Sequence, residues 1–348
     1  MPDFDFAILG AGAIGSILGA HLARAGHRVA MLARGTRANY LQQHGLTIRG
    51  IADFTVPVHT LRDPGALRST ATLIVATKTP GTAAALETLR HVQLDSALSI
   101  QNGPVKNEVL SAAFGRSRVL GALADTSGEL LPDGAVLFTR NVNIYVGELG
   151  GGSSARAQRI ADALESAGVH ALASDEIETL EWSKFCGWVG LMALSVATRA
   201  VSWKFLSDPD SALLTARLVR ETGTLARALG IRLSDRAVLP SATLCACSEA
   251  EAVALIMQAG REYHAKAPDH RMSALQDIEA GRPLEVNETL GYACDKAREL
   301  DLSLPLLECF RRLIAATDRA RRDAIAVPAP LPDEAPPVPR PRLPTRPS

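Results

Sequence analysis

A glycine-rich hexapeptide near the start of the chain constrains its fold more than any other feature. Phe6–Leu9 is a short apolar run, and Gly10-Ala11-Gly12-Ala13-Ile14-Gly15 follows it at once. A helix of small residues then ends at Gly26, and His27–Leu32 reads as a second strand. Strand, glycine turn, helix and strand in that order open a dinucleotide-binding βαβ unit. Gly10 permits the tight turn, Gly12 lets the backbone approach a pyrophosphate, and Gly15 lets helix and strand pack closely. The backbone of Gly10, Ala11, Gly12, Ala13, Ile14 and Gly15 is therefore expected to cradle the phosphates at the positive end of the helix.

The end of the second strand selects the nucleotide. A chain that binds NAD usually places an acid there for the ribose 2′-hydroxyl. Here the residues are Met31-Leu32-Ala33-Arg34-Gly35-Thr36-Arg37, with no acid among them. Arg34 suits bidentate pairing with a 2′-phosphate, and Thr36 or Arg37 is placed to support it. The expected cofactor is NADP(H).

Further apolar runs at Phe54–Val58, Thr72–Ala76, Leu98–Gln101, Val142–Val146 and Val169–Ala173 read as strands, with a helix over Ala155–Ala167. Alternation of this kind predicts an α/β, doubly wound and mostly parallel sheet, a Rossmann domain over residues 1–174. From about Asp175 the chain reads as successive helices, over Trp182–Arg199, from Asp208-Pro209 to Gly230, and over Ser248–Gly260, Leu284–Leu300 and Leu306–Arg321. An acid before a first-turn proline is a helix start signal. Residues 175–325 are thus expected to form an all-α domain. Residues 326–348 differ again, since Pro328–Ser348 holds nine of the twenty prolines. That composition predicts an extended tail without a core, or a proline-rich docking peptide.

Composition narrows the partners. Lys plus Arg and Asp plus Glu are both 37, and aromatics make up 4%. No basic excess is present to neutralise phosphates, and few rings are present to stack bases, so nucleic acid is not an expected partner. Five cysteines without a CxxC pair argue against a disulfide framework or a zinc site, so no metal is expected and a reducing compartment fits. The start MPDFDFAILG lacks a basic leader region, and the longest near-apolar run, Phe185–Ala197, is too short to span a membrane. The expectation is a soluble, cytoplasmic protein.

Several polar groups qualify as site residues. Lys78 follows LIVAT and Asn102 follows LSIQ, both at strand ends, where doubly wound sheets bind ligands. Each reads equally well as a surface lysine or a turn residue. Lys184, inside EWSKFCGWVGLMALS, leads into an apolar helix and either snorkels to solvent or faces a polar cleft. Ser273, Asp277 and Glu285 are polar positions ahead of or inside a later helix, and Glu285 with Glu288 also fits a pair of first-turn acids.

In order along the chain, ILGAGAIGS, MLARG, IVATK, IQNG, EWSKF and SALQDIEAGRPLEV followed by LGYACDKARELDLSLP resemble the ketopantoate reductases, or 2-dehydropantoate 2-reductases. The resemblance covers about residues 5–320. It implies a cleft between a Rossmann and a helical domain. It also implies NADPH-dependent reduction of a 2-oxo acid to the D-hydroxy acid, with 2-dehydropantoate and pantothenate biosynthesis the leading assignment. Carried over by motif position, Lys184 becomes the catalytic lysine and general acid. Asn102 lies near nicotinamide and substrate, Glu285 lies beside the substrate hydroxyl, Ser273 binds the carboxylate, and Lys78 lines the cleft, on cofactor and substrate alike. The resemblance is compatible with a homodimer or a monomer, and no residue of the sequence decides between them.

The substrate half departs from the family pattern. Asparagines are usual four and eight residues after the lysine, where this chain has Trp188 and Met192, and Leu306 follows Pro305 in place of an asparagine. If they face the cleft, Trp188 and Met192 favour a more apolar 2-oxo acid. Two alternatives therefore stand beside ketopantoate reduction: a paralogous reductase or dehydrogenase with a different substrate, and a non-catalytic NADPH-binding sensor.

Overall fold

The structure is a computed structural model and describes residues 1–326. Nearly all of the proline-rich segment expected over 326–348 lies outside the described residues. The first half runs β1 (Phe4–Leu9), α1 (Ala13–Arg24), β2 (Val29–Leu32), α2 (Gly35–His44), β3 (Leu46–Gly50), β4 (Phe54–Val56), β5 (His59–Leu61), β6 (Ser69–Val75), α3 (Thr82–Glu87), β7 (Gln93–Ser99), α4 (Val105–Phe114), β8 (Val119–Leu130), β9 (Val136–Glu148), α5 (Ala155–Ser166) and β10 (Ala171–Ser174). The rest is helical: α6 (Ile177–Thr198), α7 (Ser202–Ser207), α8 (Pro209–Ala228), α9 (Ser241–Ala246), α10 (Glu249–Lys266), α11 (Ser273–Glu279), α12 (Tyr292–Glu299) and α13 (Pro305–Ala326).

The strands form one sheet in the order β4-β3-β9-β8-β7-β6-β1-β2-β5, with β10 beside β9. The centre is parallel, and only β3–β4 and β8–β9 are antiparallel. Central strands are covered on both faces, which is why β2 is buried at every position and β1 and β6 are buried over their last residues. After β1 the chain moves to β2 on one side and later returns to β6 on the other. That reversal opens a crevice at the carboxyl ends of β1 and β6.

The β8–β9 hairpin is much longer than the Val142–Val146 run suggests. Beyond Leu123 its residues alternate polar and small side chains and carry no apolar run, so the pattern reads as loop. In the structure β8 pairs with β7 only at Val119 and Leu120, then runs on past the end of β7 with β9 as its partner.

In the helical half α6 is the hub. Nearly every side chain from Leu180 to Val196 is buried, as an all-round apolar helix requires. Two glycines admit its neighbours closely: a Cβ at Gly190 would meet the Thr215 side chain at 3.0 Å and one at Gly187 would meet Leu239 at 3.3 Å. Asp208 caps α8 by accepting from the Ser211 N–H at 2.8 Å, with Pro209 in the first turn, as the sequence suggests. The helix expected from Leu284 starts later. Residues 282–286 are irregular, Asn287–Gly291 form a π turn, and α12 follows. Pro283 breaks the entry, and Glu285 sits in this irregular stretch rather than in a first helical turn. No helix among the described residues is long and apolar enough to cross a membrane.

Candidate active site

The glycine turn sits at the crevice between β1 and β6. Gly10 has φ +108°, and a Cβ there would strike the Thr77 backbone at 2.7 Å. A Cβ on Gly15 would fall 2.0 Å from the Gly10 carbonyl oxygen. Gly12 is different: nothing lies within 4 Å of where its Cβ would stand. The fold therefore demands glycine at 10 and 15 but not at 12, and the open space there is what an approaching phosphate needs. No side chain caps the start of α1 at Gly12, so the first-turn N–H groups of Ala13 and Ile14 face that space. The turn fits a dinucleotide.

Arg34 follows β2 as the extended N-cap of α2 and is exposed, as is Thr36. No hydrogen bond or ion pair engages its guanidinium among the described residues. Arg37 is placed otherwise. Its Nε donates to the Ala11 carbonyl at 2.9 Å, one terminal nitrogen to the Gly134 carbonyl at 2.6 Å, and the other to Ser16 Oγ at 2.8 Å. Arg37 thus ties the glycine turn to the β8–β9 tip and is committed inside the fold, which corrects its expected place beside Arg34.

Two loops at adjacent strand ends carry Lys78 and Asn102, one after β6 and one after β7. Gln101 joins them: its Nε2 donates to the Thr77 carbonyl at 2.9 Å and to Thr82 Oγ1 at 2.7 Å. From there a small, open cavity lies beside α6. Asn102, Lys184 and Trp188 line it together with Leu123, Phe185 and Glu181. Lys184 is half-buried, and its Nζ donates to the Ala124 carbonyl on β8 at 2.7 Å. Burial, with the Lys106 ammonium adding to it, pulls its pKa down from 10.5 to about 8, against the opposite pull of Asp125 and Glu181. Although its residue keeps some exposed surface, the ammonium end is hemmed in by β8, α4 and its own helix, so the downward direction is the expected one.

The remaining expected residues lie elsewhere. Lys78 is exposed and pairs with Asp277 at 2.7 Å, which Arg282 also engages at 2.8 Å. Ser273 precedes Asp277 by one turn of α11 and so shares the face that meets Lys78. Glu285 is buried, its Oε1 accepting from the Thr79 N–H at 2.7 Å and from Thr79 Oγ1 at 2.9 Å. These contacts and the Tyr292–Glu108 hydrogen bond at 2.7 Å cross between the sheet half and the helical half. Met192 is 1% exposed in the helical core and does not line the cavity. Eight residues along a helix carry a side chain about 12 Å up the axis and about 80° round it, which removes Met192 from the wall Lys184 occupies. The structure joins Lys184, Asn102 and Trp188 in one cavity. It sets Lys78, Ser273 and Glu285 on the contact between the two halves.

Three further buried residues are not singled out by the sequence pattern, and two of them, Lys106 and Glu181, line the same cavity. Lys106 on α4 and Glu181 on α6 form an ion pair at 3.2 Å with 4% and 3% of their side chains exposed. Asn107 donates to Glu181 Oε2 at 2.6 Å.

Comparison with known proteins decides the family. Residues 6–151 match the model of ketopantoate reductase PanE/ApbA, and residues 176–318 match the model of its C-terminal part. The chain belongs to the ketopantoate reductase family. Among curated relatives, 2-dehydropantoate 2-reductase of Archaeoglobus fulgidus is 27% identical over 312 residues, 89% of this chain and 97% of that protein. Among solved structures, 2-dehydropantoate 2-reductase from Methylococcus capsulatus is 25% identical with a TM-score of 0.76, over 91% of this chain and 97% of that one. D-mandelate dehydrogenase, solved with NADH and anilino(oxo)acetate, is 19% identical with a TM-score of 0.78, over 91% of this chain and 99% of that one, a likeness of fold alone. As a ketopantoate reductase family member, the chain is an oxidoreductase of the CH–OH/C=O class, in a family that depends on pyridine nucleotides.

Proposed function

We propose that the chain reduces a 2-oxo acid with NADPH, and that Lys184 is the general acid. The observation that carries this reading is the cavity shared by Lys184 and Asn102 at the carboxyl end of the same sheet that presents the Gly10–Gly15 turn. The Rossmann half, residues 1–174, would hold the cofactor through the turn and Arg34, and residues 175–325 would supply Lys184, Ser273 and Glu285. NADPH, when bound, supplies the hydride. Negative charge then builds on the carbonyl oxygen, and the Lys184 ammonium stabilises it and gives up a proton. The Ala124 carbonyl holds the ammonium in place. A proton affinity near neutrality suits a group that must be charged yet able to donate. Asn102 would orient the carbonyl, and the substrate carboxylate would point out of the cavity toward Ser273 and Lys78 at the contact between the two halves.

Ketopantoate, giving D-pantoate, is the leading substrate by family. A second reading, a more apolar 2-oxo acid, is favoured by Trp188, whose indole takes cavity wall where the family pattern has an amide. NADPH oxidation measured against a panel of 2-oxo acids, ketopantoate included, tests both. Turnover with none of them removes the reading, and the ranking within the panel chooses the substrate.

A further inference from the structure

We propose that Lys106 and Glu181 are positioning residues for this reaction, a buried ion pair that fixes Asn102 and Lys184 relative to each other across the cavity. The inference rests on the proposed role of Lys184. A buried ion pair is a poor way to stabilise a fold, because desolvation of both charges offsets their attraction, and an apolar pair of similar volume often serves as well. Its location is what calls for an account.

The Lys106 ammonium donates to the Gln101 carbonyl at 2.9 Å and to the Ala122 carbonyl, and it pairs with Glu181 Oε1 at 3.2 Å. Its contacts describe a bracket. Gln101 is the residue before Asn102. Glu181 Oε1 also accepts from the Ala122 N–H at 3.0 Å, and Glu181 stands one turn before Lys184 on α6. Ala122 and Ala124 face the same side of β8, so one edge of this strand holds the pair and, two residues on, the Lys184 ammonium. The loop bearing Asn102, the strand and the helix bearing Lys184 are thus pinned at one point.

Charge follows geometry here. Lys184 is faced by Lys106 from α4, Asp125 from β8, Arg140 from β9 and Glu181 from its own helix, and among these charges Lys106 acts on it most strongly. Without Lys106, Glu181 keeps Lys184 as its cationic neighbour and holds that proton more tightly. Without Glu181, Lys106 repels it more.

The test uses the full-length protein as parent, Lys106→Met, Glu181→Gln and the double variant Lys106→Met with Glu181→Leu, whose apolar pair guards against misfolding. Lys184 Nζ is titrated by NMR of 13Cε-lysine, assigned with Lys184→Arg, and kcat and KM are measured across pH with the best 2-oxo acid. Lys106→Met is expected to move the midpoint upward, on the order of half a pH unit or more. Glu181→Gln is expected to move it down, and the double variant to fall between. All three are expected to lose kcat by roughly tenfold to a hundredfold, with a smaller change in KM. Folded variants that lose only thermal stability, with midpoint and kcat unchanged, overturn the proposal. Lys184→Ala separates the two claims. Its inactivity together with a flat titration series overturns the positioning pair alone. Turnover that survives Lys184→Ala overturns the reading on which the pair rests.

Discussion

Trp188 stands one helical turn beyond Lys184 on α6, and indole and ammonium line the same cavity. The group proposed to donate the proton and the group proposed to select the side chain are therefore set by one rigid element. Replacing Trp188 with Asn restores an amide to the wall and is expected to shift the ratio of kcat/KM toward hydroxylated 2-oxo acids over branched apolar ones by about tenfold or more. Because Trp188 is 8% exposed, Tm will fall as well. The ratio between two substrates is the measurement to use, since it does not depend on the folded fraction. An unchanged ratio removes Trp188 from substrate selection.

Lys184 is expected to set the pH dependence. Its pKa is lowered to about 8, and the proposed role needs the ammonium form. Below that value the group is charged and reduction proceeds. As pH rises through about 8 the proton is lost, and kcat/KM for reduction is expected to fall. Lys184→Ala is expected to lower kcat/KM by about 10²–10⁴-fold and to abolish that basic limb. A parent profile flat from pH 7 to 10, on the order of three decades of proton activity, would contradict it.

Two neighbouring arginines are expected to behave oppositely. Arg34 is exposed, so Arg34→Ala is expected to leave the stability within about 0.5 kcal/mol of the parent's and to weaken NADPH far more than NADH. Arg37 holds Ala11, Ser16 and Gly134 together, so Arg37→Met is expected to lower Tm and to weaken both nucleotides alike. Calorimetry and cofactor titration on both variants decide the matter, and equal losses for the two nucleotides in Arg34→Ala would remove it from 2′-phosphate recognition.

The glycine turn separates fold from function in the same way. Gly12→Val adds a side chain into open space at an allowed φ of −72°, and is expected to fold as the parent does but to bind cofactor poorly. Gly15→Ala drives a Cβ onto the Gly10 carbonyl and is expected to unfold the turn itself. Thermal melts with and without NADPH distinguish the two. Ligand-induced stabilisation of Gly12→Val equal to the parent's would place the phosphates elsewhere.

The N-terminal strand and the glycine turn were readable because local chemistry dictates them: apolar run and glycine spacing. Lys184 was readable as a charge leading into an apolar helix, and the family pattern gave it a role. The hairpin was not readable, because Asp125, Thr126, Ser127 and Gly128 look like a loop until β9 is laid beside them. Nor was the ion pair. Lys106 and Asn107 sit in KNEV, an ordinary solvated first turn by pattern, and only the fold puts Glu181 against them. The one signal available was Glu181 three residues before Lys184 on an otherwise apolar helix. Met192 shows the converse, a motif position whose side chain the helical rotation turns away from the site.

The long reach of β8 bears on how such a chain can change by recombination. Ser174 and Ile177 bracket a natural-looking cut between two modules. Yet Ala122 and Ala124, from the sheet half, seat Glu181 and Lys184, from the helical half. A chimera spliced at that junction would inherit a lysine from one parent and its seat from another. Point replacement within the α6 wall keeps that lysine and its seat together, and exchange of whole halves does not.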